Sequence, residues 1–125
     1  ASLLDATEVA PEEAAVWHAL GLLETRSGQS DKALEYLQRA AELETTGIRY
    51  RYVYGVALHD GGQPEAAITH LQSLLREAPA NPDLLLALAT YSKTAGRIED
   101  AKRYAGKLVE LMPDEPGVQQ FYDSL

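Results

Sequence analysis

Three histidines, nineteen carboxylates and seven tyrosines are the side chains of this 125-residue chain with the most chemistry to offer. His18, His59 and His70 could bind zinc through neutral imidazole. A helical zinc site usually draws two histidines from one face, four residues apart, and neither that spacing nor H-E-x-x-H occurs. Ordinary polar surface is therefore the simpler reading of all three. The nineteen acids could pair for acid–base work, but on a helical chain such residues form a solvated face first. No nucleophile motif and no phosphate loop is present; Gly61-Gly62-Gln63-Pro64 reads as a turn. The chain has no cysteine, which removes disulfides, thiolate metal sites, a cysteine nucleophile and haem attachment. No catalytic residue, no metal site and no cofactor is expected.

Arginine and tyrosine alternate in RYRYVY, residues 49–54. That pattern suits a half-buried strand, a stacking platform for single-stranded nucleic acid, or one side of a helix. Net charge of −8 and a pI near 4.8 oppose the second, because a negative chain is repelled by phosphate. Nucleic acid is not an expected partner. Anionic membrane surfaces are disfavoured for the same reason, and no apolar run approaches the length of a span, so membrane insertion is not expected. The sequence has no initiator methionine and no signal-like start, so it is expected to begin inside a larger gene product. The compartment stays open between the cytoplasm and a bacterial periplasm.

The elements that must position these residues emerge from an internal repeat. A shift of 34 residues, without a gap, brings Gly28, Gly62 and Gly96 into register. Ala33, Ala67 and Ala101 also align, as do Leu20, Tyr54 and Leu88, and the acids Asp31, Glu65 and Glu99. Each unit reads as an apolar helix ending at a glycine, then a second helix with an acid in its first turn, stopping near a proline in the later units. RYRYVY becomes the opening of a first helix, and its alternation is accidental. The expected units are 14–47, 48–81 and 82–115. Residues 1–13 read as the end of a preceding second helix, and residues 116–125 as a capping helix.

These residues resemble the tetratricopeptide repeat family. The first unit has W-H-A-L-G from Trp17, then Gly28, Ala33, Leu37 and Ala40; the second has Tyr54-Gly55, Gly62, Ala67, Leu71 and Pro79; the third has Leu88-Ala89, Gly96, Ala101, Leu108 and Pro113. Glu24 and Ser92 depart from the large tyrosine-like residue of the pattern, and Thr45 replaces a proline. The resemblance implies an all-α fold, an α-solenoid of three helix-turn-helix repeats. More weakly, Y-R-Y-V-Y-G-V-A-L-H and A-K-R-Y-A are similar to tetratricopeptide segments attached to bacterial multihaem c-type cytochrome proteins.

The family resemblance further implies a non-catalytic protein–protein interaction module whose first helices line an inner groove for a peptide. Carried onto this chain, the groove residues are His18, Leu22, Arg26, Arg49, Tyr52, Val56, His59, Leu86, Thr90 and Lys93. Adjoining them are Thr25, Val53, Asp60 and Asp83. Arg26, Arg49 and Lys93 outnumber Asp60 and Asp83, so the lining is slightly positive and suits an acidic protein or peptide partner. Among the tyrosines, Tyr52 is the one expected to face the groove. The family's carboxylate clamp for chaperone tails is not expected, since His18, Leu22 and Val53 occupy its positions. The alternatives are a structural spacer or self-association module, and a domain of a bacterial redox protein. An incomplete unit at residues 1–11 would leave an apolar flank near Trp17 and Leu20, which predicts weak homo-oligomer formation.

Overall fold

A computed structural model describes residues 13–44 and 47–125. Among these residues there are seven helices and no strand. They are α1 (Ala14–Arg26), α2 (Ser30–Leu43), α3 (Arg49–Asp60), α4 (Pro64–Glu77), α5 (Pro82–Thr94), α6 (Ile98–Leu111) and α7 (Pro116–Asp123). The expected helix in residues 1–13 lies almost wholly outside the described residues. RYRYVY forms the first half of α3, so the helical reading of that segment holds.

The turn after every odd-numbered helix from α1 to α5 is one device used three times. Gly28, Gly62 and Gly96 have φ of 77°, 85° and 80°, a region that costs other residues strain. Behind each glycine the next N–H reaches back five residues: Gln29 to the Glu24 carbonyl at 2.9 Å, Gln63 to Leu58 at 2.9 Å, Arg97 to Ser92 at 2.8 Å. The glycine N–H itself bonds the carbonyls of Thr25, His59 and Lys93 at 3.1–3.2 Å. These are Schellman turns, and they satisfy carbonyls that a helix end leaves open. The following helix starts at once, with Asp31, Glu65, and Glu99 with Asp100, in its positive first turn.

The chain divides into two compact units, residues 1–63 and 64–125. In the first, α1 packs on α2 and α2 on α3. Leu20, Ala33, Leu37, Ala40 and Leu58 are buried. A Cβ on Gly21 would lie 2.5 Å from the Leu37 side chain, so the close approach of α1 and α2 requires glycine there. Trp17 on α1 meets Tyr36 on α2 at a centroid distance of 5.7 Å, with the Arg39 guanidinium 5.5 Å above the Trp17 ring. Helix α3 lacks a cap on the residue before it. Glu44 replaces that cap: its Oε1 accepts the N–H groups of Tyr50 at 3.0 Å and Arg51 at 3.2 Å.

In the second unit α4 packs on α5, α5 on α6, and α6 on α7. Ala67, Leu71, Leu84, Leu88, Ala89, Ala101 and Ala105 are fully buried. Asn81 caps α5, its side-chain oxygen accepting the Leu84 N–H at 3.1 Å ahead of Pro82. Gln72 on α4 donates to the Tyr104 hydroxyl on α6 at 3.1 Å, and Arg97 pairs with Glu65. Ser92, one departure from the family pattern, is 1% exposed and its hydroxyl has no partner among the described residues. The core closes around this small residue. Helix α7 has no buried residue, so it is a light cover on α6.

Candidate functional site

Seven of the ten expected site residues lie in the first unit, on α1 and α3. On α1, His18, Leu22, Thr25 and Arg26 fall on one side by helical spacing. Leu22 is 39% exposed, a large apolar side chain open to solvent. Leu22 and Val56 come together at a cleft of about 240 Å³ between α1, α2 and α3. Val53, Ala57, Leu34 and Leu37 supply more of its hydrocarbon wall, and Thr25 and Asp60 add polar groups. Arg26 and Arg49 are exposed, while Tyr52, Val56 and His59 are half-buried. His59 Nδ1 lies 3.9 Å from Asp60 Oδ1. Arg26, Arg49, Tyr52, His18 and His59 are not among the residues that line the cleft.

His18 is held elsewhere. Its ring packs against Tyr50 on α3, with centroids 4.6 Å apart, and the Arg49 guanidinium sits 5.9 Å from the same tyrosine ring. Burial and then the nearby Arg49 charge lower its pKa below the ordinary imidazole value, with Glu44 opposing. The neutral ring contributes an apolar surface to the helix contact. Its Nδ1 is buried without a hydrogen-bond partner among the described residues. Among those residues, no group of three or more His, Cys, Asp or Glu is gathered to hold a metal ion.

Leu86, Thr90 and Lys93 belong to the second unit. They follow one another along one side of α5 at spacings of four and three. Leu86 is 48% exposed, and Lys93 Nζ lies 5.7 Å from the Phe121 ring centroid on α7.

Sequence reasoning missed Tyr50 and Glu44. Tyr52 is the tyrosine it chose for this face, yet Tyr50 is the one whose ring packs, tilted, against His18. A signal existed: Tyr50 shares its register with Val16 and Leu84, both apolar, which marks the slot as a helix contact. Glu44 gave none, because its cap reaches across a connecting segment.

Short helices in succession, with one turn geometry recurring every 34 residues, define a helical-repeat protein of the α-solenoid class. Two tetratricopeptide repeat family models match, one over residues 58–125 and the other over 1–48 and 18–82. The chain belongs to the tetratricopeptide repeat family. Its fold is similar to that of MamA (TM-score 0.81, 21% identity, 96% of this chain and 70% of that one). It is also similar to Pseudomonas aeruginosa pilF (0.82, 22%, 98% and 56%). A third likeness is to YrrB, described as a TPR protein with an unusual peptide-binding site (0.81, 22%, 98% and 63%). The chain thus spans between 56% and 70% of the length of these three neighbours. No curated protein matches it by sequence. Family and fold make this chain a helical protein-interaction scaffold.

Proposed function

We propose that the chain binds a peptide or protein segment along the exposed side of its first helices, and that the cleft of the first unit takes an apolar anchor from that partner. The cleft carries the reading. It is walled mainly by hydrocarbon, and the exposed Leu22 stands at its edge. Its volume of about 240 Å³ is below the ~300 Å³ at which small-molecule sites begin, so it suits a side chain better than a metabolite. Arg26 and Arg49 lie exposed on the helices that frame it, which favours an acidic neighbour to that anchor. Leu86, Thr90 and Lys93 offer the same mix of apolar and cationic groups on the second unit. The peptide-binding site of YrrB, a protein of the same fold, supports peptide as the ligand class. The repeat boundaries 14–47, 48–81 and 82–115, flanked by 1–13 and 116–125, are part of this proposal.

The test compares capture of partners from the source cells by wild type, Tyr52→Ala and Val56→Asp, with helical content checked by circular dichroism. Aromatic and arginine positions concentrate contact energy, so Tyr52→Ala is expected to cost about 2 kcal/mol or more in binding with the helices intact. Capture of the same partners at the same affinity by all three proteins overturns the reading. No described helix is long and apolar enough to cross a membrane, and the experiment is run in aqueous buffer without detergent.

A further inference from the structure

The second unit holds a larger recess on different helices. It measures about 710 Å³ and is bordered by α4, α5, α6 and α7. Leu75, Leu85, Val109 and Tyr122 give it apolar wall, and Tyr122 is 37% exposed. Lys102, Arg103 and Lys107 line it from α6, opposed by Glu110 alone among the acids. Three of the chain's eleven cations are therefore gathered at one recess of a molecule whose net charge is −8. Arg103 pairs with Asp100 at 3.1 Å and Lys107 with Glu110 at 3.7 Å, both between exposed side chains. Such pairs are weak and exchange readily for a better carboxylate.

Gly106 adds an independent observation. It sits in the interior of α6, where glycine disfavours the helix. Nothing in the packing demands it: its φ is not positive, and a Cβ would meet only Tyr122 Cε1 at 3.9 Å, an ordinary contact. The two earlier repeats carry Gln38 and Gln72 in this register. Glycine at 106 removes a side chain from the border of the recess and leaves Tyr122 uncovered.

We infer that this recess on α6 and α7 is a second docking site, and that its occupant is a short acidic peptide segment with an aromatic or large aliphatic residue among its carboxylates. The cations would receive the carboxylates and the Leu75, Val109 and Tyr122 surface would receive the apolar residue. An extended nucleic acid fits less well, because its phosphates would run from a small local excess of positive charge onto a surface that is negative in total. The site shares no residue with the first-helix set, so it stands without the preceding proposal.

The probe is a fluorescein-labelled peptide of glutamates and aspartates around one Phe-Leu pair, read by fluorescence anisotropy on the whole chain. Binding is expected to weaken at least about tenfold in Lys102→Glu/Lys107→Glu. It is expected to weaken similarly in Gly106→Gln, which fills the recess with the residue the other repeats carry. Replacing Phe-Leu by Ser-Gly in the peptide should have the same effect, and the loss caused by Lys102→Glu/Lys107→Glu should persist in a Tyr52→Ala background, where the first-helix site is already weakened. The inference is overturned by failure of wild type to bind the peptide, or by equal affinity in both variants. A thymidine oligonucleotide that binds as tightly as the peptide overturns it too. So does sedimentation showing that wild type self-associates and Lys102→Glu/Lys107→Glu does not, since the occupant would then be a second copy.

Discussion

Glu44 holds Arg51 twice, accepting its backbone N–H at 3.2 Å and lying 3.9 Å from its guanidinium Nε. The Arg51 side chain returns to donate to the Gly47 carbonyl at 2.6 Å, so the connection into α3 is closed by one acid and one arginine. Both side chains are largely shielded, at 10% and 21% exposure, which spares the contact most solvent screening. Glu44→Ala is expected to destabilise the chain by about 1–2 kcal/mol, the upper range for loss of a helix N-cap. Thermal denaturation measures it. Hydrogen exchange should show faster amides at Tyr50 and Arg51, with those of α5 unchanged.

Gly21 is the tightest point between α1 and α2. Gly21→Ala forces a Cβ to 2.5 Å from Leu37, and overpacking of this kind costs about 1–3 kcal/mol. The double variant Gly21→Ala/Leu37→Ala should lose less than the sum of the two single changes, because the smaller residue 37 makes room. Strict additivity in denaturant titration would mean that the two positions are not in contact.

His18 gives the stability a pH dependence of definite sign. Its folded pKa lies below the ordinary value of 6.5, so the unfolded chain takes up the proton first as pH falls. The contribution of the neutral ring is complete above that unfolded value and declines as pH drops from it toward the lower folded value. His18→Gln should flatten this part of the stability profile. Titration of the His18 ring protons by NMR should show a midpoint below that of a histidine peptide.

Arg49 links the first-helix side to the charge of its partner. Arg49→Glu is expected to weaken an acidic partner and to reduce the salt dependence of what binding remains, since an attractive pair is exchanged for a repulsive one. Affinity measured across a salt series decides this. An unchanged slope would remove Arg49 from the contact.

Gly106→Ala should stabilise the fold by about 0.5–1 kcal/mol, the usual gain for alanine over glycine inside a helix. The contact at 3.9 Å to Tyr122 leaves room for the methyl group. A loss of stability in chemical denaturation would show that the backbone of α6 needs glycine.

Much of the architecture was legible because the 34-residue period records a local rule. A left-handed turn needs glycine at 28, 62 and 96, and a close helix crossing needs a small residue at 21 and 89. Each rule leaves a letter at a fixed position. The candidate surfaces were legible only in part. Leu22 and Val56 meet at a cleft because helical spacing put both on one side, which the sequence does encode. The Tyr50 contact with His18 joins different repeats, and the Glu44 cap crosses a connection, so neither follows from the periodicity. The α6–α7 recess depends on what a glycine leaves out, and one omitted side chain writes no pattern.

The Schellman turns have a consequence for how the chain reaches its native state. Each joins two helices across three residues, so the hairpins α1–α2 and α5–α6 close within short stretches of chain. Folding rates rise as contacts become more local in sequence, because little loop entropy is lost before contact is made. Nucleation is then available at more than one hairpin, with neighbours adding to whichever forms first. A glycine-to-valine change at one turn should slow closure of its own hairpin and leave the other as a working nucleus. Such a lesion redirects the order of assembly and leaves a route to the folded state open.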